Sequence, residues 1–320
     1  MPLIGILGQK NDAHVLSLSS ELESRGATVL IVDFYNFPRF NLLTLNRDMC
    51  YDDIHVLQPL PLNDLDLLFV RSFSTRMPRA LRNQEKCEAQ SAETVAVHAL
   101  KSSFIRIMEE RIPVINSFPA MLFHRLKPYQ YFLLDRNGIP VPGTMVTRNP
   151  IAARRFIAAH EGRVVVKPLA GGAEVVMVEG MLRETGMESP WKRPFMFQQY
   201  VAGRSLRAYT LGGQVSSMGV VRSDEKRVDW RAGPVQVERV EPEEALKLQI
   251  AKAVKLLGLS FCSIDIEHDD SDGKYYLLDF NPGALFTGWE RLTGINMAAR
   301  IAEYLLRVVK NRGEMWCTGI

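Results

Sequence analysis

Two carboxylates and a carboxamide stand near the ends of two apolar runs late in the chain. SFCSIDIEH carries Asp265, and YYLLDFNPG carries Asp279 and Asn281. Alternate residues of a strand share a face, so Asp279 and Asn281 point the same way. Between the runs stands DDSDG, a turn composition that folds them into an antiparallel hairpin and lets the three side chains converge. Three oxygen ligands suit a hard cation that bridges phosphates, Mg2+ or Mn2+ in its place, rather than zinc. Taken from the hairpin alone, the same residues also read as polar strand ends with no metal.

A second constellation is cationic. In RVVVKPLAGGAEVVMVEG, Lys167 ends an apolar strand, where an ammonium is costly unless it meets an anion, and Gly171 and Gly172 let backbone amides approach that anion. A phosphate is the natural occupant; a plain glycine turn with the lysine reaching to solvent is the other reading. Arg207 lies in a run of small and apolar residues, and DWRAG places Arg231 in a loop. RSFSTRMPR follows directly on the strand-like DLLFV and sets Arg71, Arg76 and Arg79 at the carboxyl edge of a sheet, where α/β domains collect ligands. A solvated charge run is the alternative there. His268, in the acidic turn, reads as a surface residue.

The elements that must position these groups follow from periodicity. LIGILG and TVLIVDF flank the helical DAHVLSLSSELESRG, a β-α-β opening; DLLFV, a long helix over 91–111 and PVIN extend it into a small parallel α/β domain. GQKND stands after the first strand where a dinucleotide fold would need GxGxxG, so an ordinary βα turn is expected. Beyond SFPA the pattern becomes helix, strand, helix and glycine-tipped hairpin. Three short strands over 195–222 follow, then a helix over 241–259 that opens with proline and acids and closes on Gly258, then the acidic hairpin.

Composition sets broad limits. The 320 residues, 47% of them hydrophobic, are enough for more than one core, and a net charge of +3 with interleaved signs argues for no polyanion, so no nucleic-acid partner is expected. Cys50, Cys87, Cys262 and Cys317 form no CxxC pair, so neither structural zinc nor a disulfide framework is expected. No signal-like or membrane-spanning run is found, so a cytoplasmic location without a membrane partner is expected.

In order and spacing these segments resemble the ATP-grasp superfamily, and within it the branch similar to the ribosomal protein S6 glutamate ligase, which joins an amino acid to a carboxylate. The resemblance runs from residue 116 to about 305 and is fainter before that. It implies a mixed α/β (α+β) ATP-grasp fold: a Rossmann-like pre-ATP-grasp domain over 1–116, a central subdomain with a glycine lid over 117–193, and a carboxyl-terminal subdomain with the metal site over 194–320. LKPYQYFLLDRNGIPVP and VVVKPL resemble the segments supplying the two ATP lysines, here Lys127 and Lys167. QQYV is similar to the linker along the adenine, which implies that Gln198 and the backbone of Tyr200 and Val201 read the base. SLR and DWR resemble the segments of catalytic arginines, Arg207 and Arg231; SIDIE and LLDFN match the magnesium strands, hence Asp265, Asp279 and Asn281. The arginine loop, Arg71 with Arg76, then favours a carboxylate-rich substrate. Departures are Asp279 where glutamate is common, Ser205 where an acid often stands, a short glycine loop, and PGALFT in place of a serine-rich stretch.

The activity so implied is ATP-dependent ligation of an amino acid, glutamate in the branch resembled, or another amine, to a small-molecule or peptide carboxylate through an acyl phosphate. A small-molecule kinase and a non-catalytic nucleotide sensor are the alternatives, and a homo-oligomer is compatible with all three.

Overall fold

The β-branched runs at the amino terminus form β1 (Leu3–Leu7) and β2 (Thr28–Val32), with α1 (Ala13–Ser24) between them. Asp12 caps α1 by accepting from the His14 amide at 2.7 Å, the role short acids take at helix starts. The computed structural model describes residues 1–33, 43–45, 50–52, 62–73, 87–167, 169, 175–185, 191–223 and 234–311. They divide into two units, Met1–Met121 with Gly283–Ile320, and Leu122–Pro282.

In the first unit, β5 (Leu67–Val70) and β6 (Val114–Ile115) join β1 and β2 in a parallel sheet of order β2-β1-β5-β6. A small antiparallel ribbon, β3 (Leu43–Leu45) with β4 (Cys50–Asp52), precedes β5, and α2 (Cys87–Glu109) links β5 to β6. Leu7, Val70, Phe104, Ile105 and Met108 are among the buried residues that pack the sheet against α2. Both faces of a parallel sheet need cover, which is why β5 is buried at every position. After α3 (Phe118–Leu122) the chain leaves this unit and returns to it as α8 (Thr287–Thr293) and α9 (Met297–Lys310). Met297, Ile301, Ala302, Leu305 and Val308 recur at helical spacing on the buried face of α9, which packs on α1 and β5. Division of the sequence at 194–320 had placed these residues with the metal strands; the packing groups them with the first sheet, because their apolar stripe is buried there.

The second unit holds two antiparallel sheets. After α4 (Lys127–Arg136), β7 (Thr144–Thr147), β8 (Val164–Lys167), β9 (Val176–Met177) and β10 (Phe195–Gln199) pair in the order β7-β10-β8-β9. The helices α5 (Pro150–Ala159) and α6 (Val178–Thr185) supply Ala153, Val178 and Met181 to a core shared with Val164, Val166, Trp191 and Phe197. The larger sheet runs β13 (Val235–Arg239), β12 (Gln214–Ser223), β11 (Gly203–Leu211), β14 (Phe261–Asp269), β15 (Tyr275–Asn281), and α7 (Glu244–Leu256) packs on β12. Gly203 opens β11 at a place where a Cβ would lie 1.8 Å from the His268 carbonyl oxygen, so only glycine permits that pairing. No helix among the described residues is long and apolar enough to cross a membrane.

Candidate active site

The strand alternation S-I-D-I-E on β14 buries Ile264 and Ile266 on one face and turns Ser263, Asp265 and Glu267 to the other. The hairpin register sets Asp265 directly opposite Asp279 and Ser263 opposite Asn281, so the three predicted oxygen ligands share one face of β14 and β15. The ladder slips at Ile266, which pairs with Leu277, and Leu278 is the extra residue of a bulge. Its carbonyl is taken by the Tyr131 hydroxyl from α4, which fixes the helix against the strand beside Asp279.

Opposed carboxylates repel, and each is neutralised by a cation from another element. Lys127, only 7% exposed at the start of α4, places Nζ 3.2 Å from both oxygens of Asp279. Arg207 on β11 donates from Nη1 to Asp265 Oδ1 at 2.9 Å and from Nη2 to Ser263 Oγ at 2.7 Å, with its guanidinium 5.5 Å from the centre of the Tyr209 ring. Two residues away on the same face of each strand, Ser205 Oγ donates to Glu267 Oε1 at 2.6 Å. Burial pushes the Glu267 carboxyl up to about 7, against the pull of that hydrogen bond and of the Lys167 charge; the neighbouring Asp265 charge adds to the rise. Lys167 ends β8 as expected and is 9% exposed. Burial, with the charges of Asp279 and Asp265, also raises the Tyr131 phenol, which therefore stays protonated as a donor.

Gln198, buried on β10, donates from Nε2 to Thr144 Oγ1 at 2.9 Å, and the Tyr200 amide donates to the Arg163 carbonyl at 2.9 Å while Val201 is buried. Arg71, in the first unit, is 4% exposed; Nη1 donates to the Gly283 carbonyl at 2.9 Å and Nη2 lies 3.5 Å from Asp12 Oδ2. Arg76, Arg79, Gly171, Gly172 and Arg231 lie outside the described residues. Ser263, Glu267, Tyr131 and Gln130 were not singled out from sequence. For Ser263 and Glu267 the signal was present, since alternation in SIDIE puts them on the face of Asp265.

Among the described residues no cluster of three or more His, Cys, Asp or Glu side chains is placed to hold a metal ion. The donor set is two carboxylates and an amide, and among the described residues Asp279 Oδ1, out of contact with solvent, is met only by the Lys127 ammonium. Few protein ligands, all oxygen, fit a Mg2+-like ion that completes its shell with water and phosphate oxygens.

Two antiparallel sheets, buried lysines and an acidic hairpin are the parts expected of a nucleotide-using ligase of the ATP-grasp type. Residues 125–305 match the RimK-like ATP-grasp domain, and the chain belongs to that family. It is an ATP-dependent ligase that joins a carboxylate to an amine. The glutamate–LysW ligase ArgX of Sulfurisphaera tokodaii is 28% identical over 278 residues, covering 80% of this chain and 88% of that one. A probable alpha-L-glutamate ligase of Psychromonas ingrahamii is 29% identical over 212 residues, 61% of this chain and 68% of its own. Among solved structures, the ATP-grasp ligase PsnB complexed with minimal precursor, Mg and ADP superposes with a TM-score of 0.79 at 26% identity, over 96% of this chain and 98% of that one. The macrocyclase MdnC from Microcystis aeruginosa MRC, at 19% identity and a TM-score of 0.78 over 95% of this chain and 99% of its own, shares the fold.

Proposed function

We propose that this ligase couples the amine of an amino acid, glutamate first among them, to a carboxylate carried by a peptide or small protein, with Mg2+ and ATP. The observation that carries the reading is the Asp265–Asp279 pair, held face to face with Lys127 and Arg207 as counter-charges. The amino acid and peptide classes come from the relatives: a glutamate–LysW ligase aligns over most of both chains, and PsnB is seen with its precursor.

In this reading ATP transfers its γ-phosphoryl group to the substrate carboxylate, forming an acyl phosphate and ADP; the amine then attacks the acyl carbon, the amide forms, and inorganic phosphate leaves. Lys127 and Lys167 hold the phosphates, while Gln198 and the backbone at Tyr200 and Val201 meet the base. Asp265, Asp279 and Asn281 would hold Mg2+, or Mn2+ in its place, which would supply charge stabilisation at the transferring group. Arg207, preorganised by Asp265 and Ser263, stabilises the negative charge on the acyl group, with Arg231 proposed beside it. Lys127 can reach a phosphate only by giving up part of its contact with Asp279. Arg71 has protein partners in this structure, so the acceptor role proposed for it, with Arg76, requires a substrate carboxylate to replace one of them.

The test is phosphate release with candidate amino acids and acidic peptides supplied singly and together. Release only with both supports ligation. A phosphorylated product without free phosphate would make the protein a kinase, and neither product a nucleotide sensor. Asp279→Asn, close in volume but uncharged, is expected to abolish release while circular dichroism stays as in the wild type.

A further inference from the structure

Gln130 has no part in the chemistry above. It lies on the buried face of α4 with Lys127, Tyr131 and Leu134, is 0% exposed, and neither Nε2 nor Oε1 has a hydrogen-bond partner among the described residues. A carboxamide offers two donors and an acceptor oxygen with two lone pairs, and sealing all of them from water without a partner costs more than a hydrocarbon of the same shape would. Such a group lowers stability and calls for an explanation in function.

Lys127, on the same buried face of α4, meets a carboxylate whose oxygens depend on that one cation. Lys127 Nζ lies 3.2 Å from both oxygens of Asp279, and among the described residues Oδ1 has no hydrogen-bond donor besides that shared ammonium. Lys127 and Gln130 are three apart on one helix, so their side chains leave the same face as neighbours. A lysine drawn to a phosphate would leave Asp279 without its cation. A lysine kept on Asp279 would compete with a metal ion for the carboxylate. A neutral N–H donor does neither: it orients the carboxylate without repelling a cation.

We infer that Gln130 is a positioning residue for Asp279: when Lys127 turns to a phosphate, the Gln130 amide donates to Asp279 Oδ1 and holds the carboxylate so that its other oxygen is presented to the metal. This rests on the reading of Lys127 as a phosphate contact and Asp279 as a metal ligand. Side chains that orient metal ligands typically change metal affinity by about ten- to a hundredfold when removed.

The experiment uses Gln130→Leu and Gln130→Met in the full chain, with melting temperature and ADP affinity measured by calorimetry at several Mg2+ concentrations. Both variants are expected to melt at or above the wild-type temperature and to bind ADP without Mg2+ as the wild type does. The Mg2+ concentration that half-saturates the ADP complex is expected to rise about tenfold or more. Equal loss of ADP affinity with and without Mg2+ would place the amide on the nucleotide and overturn the proposal. An unchanged Mg2+ requirement, or melting well below wild type in both variants, would overturn it too. Asp279→Asn separates the two layers: if Mg2+ strengthens ADP binding as much in that variant as in the wild type, the metal assignment itself has failed.

Discussion

Arg207 shows how one side chain can serve two purposes at the scale of a residue. Its planar fork spans Asp265 and Ser263 on the neighbouring strand, so it neutralises a carboxylate and is locked in one orientation by the same two hydrogen bonds. A lysine there keeps the charge but is a point donor without the fork. Arg207→Lys is therefore expected to retain the fold and lower kcat/KM by about ten- to a hundredfold, the loss of one charge-assisted contact at about 1.5 to 3 kcal/mol. Steady-state phosphate release with wild-type melting behaviour checks it, and unchanged kcat/KM would make Arg207 a strand-pairing residue only. The types and spacing of Asp265, Asp279 and Asn281 were readable from SIDIE and LLDFN because strand alternation is local. Their cations were not: Arg207 stands 58 residues from Asp265 and Lys127 stands 152 from Asp279, and no local pattern encodes such a pairing.

At the scale of elements, the segment that returns to the first sheet is held by a neutral histidine. His14 Nδ1 on α1 accepts from the Phe286 amide at 3.2 Å and from the Thr287 amide, at the start of α8, at 3.3 Å, while its ring meets Phe286 edge to face. Burial first, and then the Arg71 charge, lower its pKa from 6.5 to about 4 against the opposing pull of Asp12. The folded pKa is depressed, so between the two values the unfolded chain binds more protons. The stabilisation is whole above about 6.5, fades as the pH falls, and is gone below about 4. His14→Gln, which keeps an acceptor but does not titrate there, is expected to show a flatter fall of melting temperature between these pH values than the wild type. Equal slopes would show that acid sensitivity arises elsewhere. Elements with a strong period were legible, the β-α-β opening and the acidic hairpin above all. The β-branched run VVMVEG reads as strand, yet only Val176–Met177 pair and Val178 begins α6, because Glu179 and Arg183 suit the two ends of a helix and Met181 reaches the core. The edge strand β13 was not foreseen, since its alternation in VQVER is of mostly exposed residues.

For the whole molecule, the question is where the chain past LLDFN belongs. Sequence order attaches it to the metal strands, and the helical period of GWERLTGINMAARIAEYLL carries no information on the surface it covers. The packing does: the apolar stripe of α9 lies against α1 and β5, Asn296 caps α9 through the Ala299 amide at 2.7 Å and reaches Glu21 Oε1 on α1 at 2.7 Å, and Arg25 Nη2 stands 3.6 Å from Glu303. The exposed ion pair adds little; the buried stripe supplies the adhesion. Ile301→Ala removes methyl and methylene groups from a fully buried position and is expected to destabilise the first unit by about 2 to 5 kcal/mol. Amide hydrogen exchange gives the decisive readout. If 283–310 folds with the amino-terminal sheet, protection should fall together in α1, β1, β5 and α9 while β11, β14 and β15 keep theirs. Loss spread first through β14 and β15, with the parallel sheet untouched, would instead make 194–320 one cooperative unit and return α9 to the metal strands.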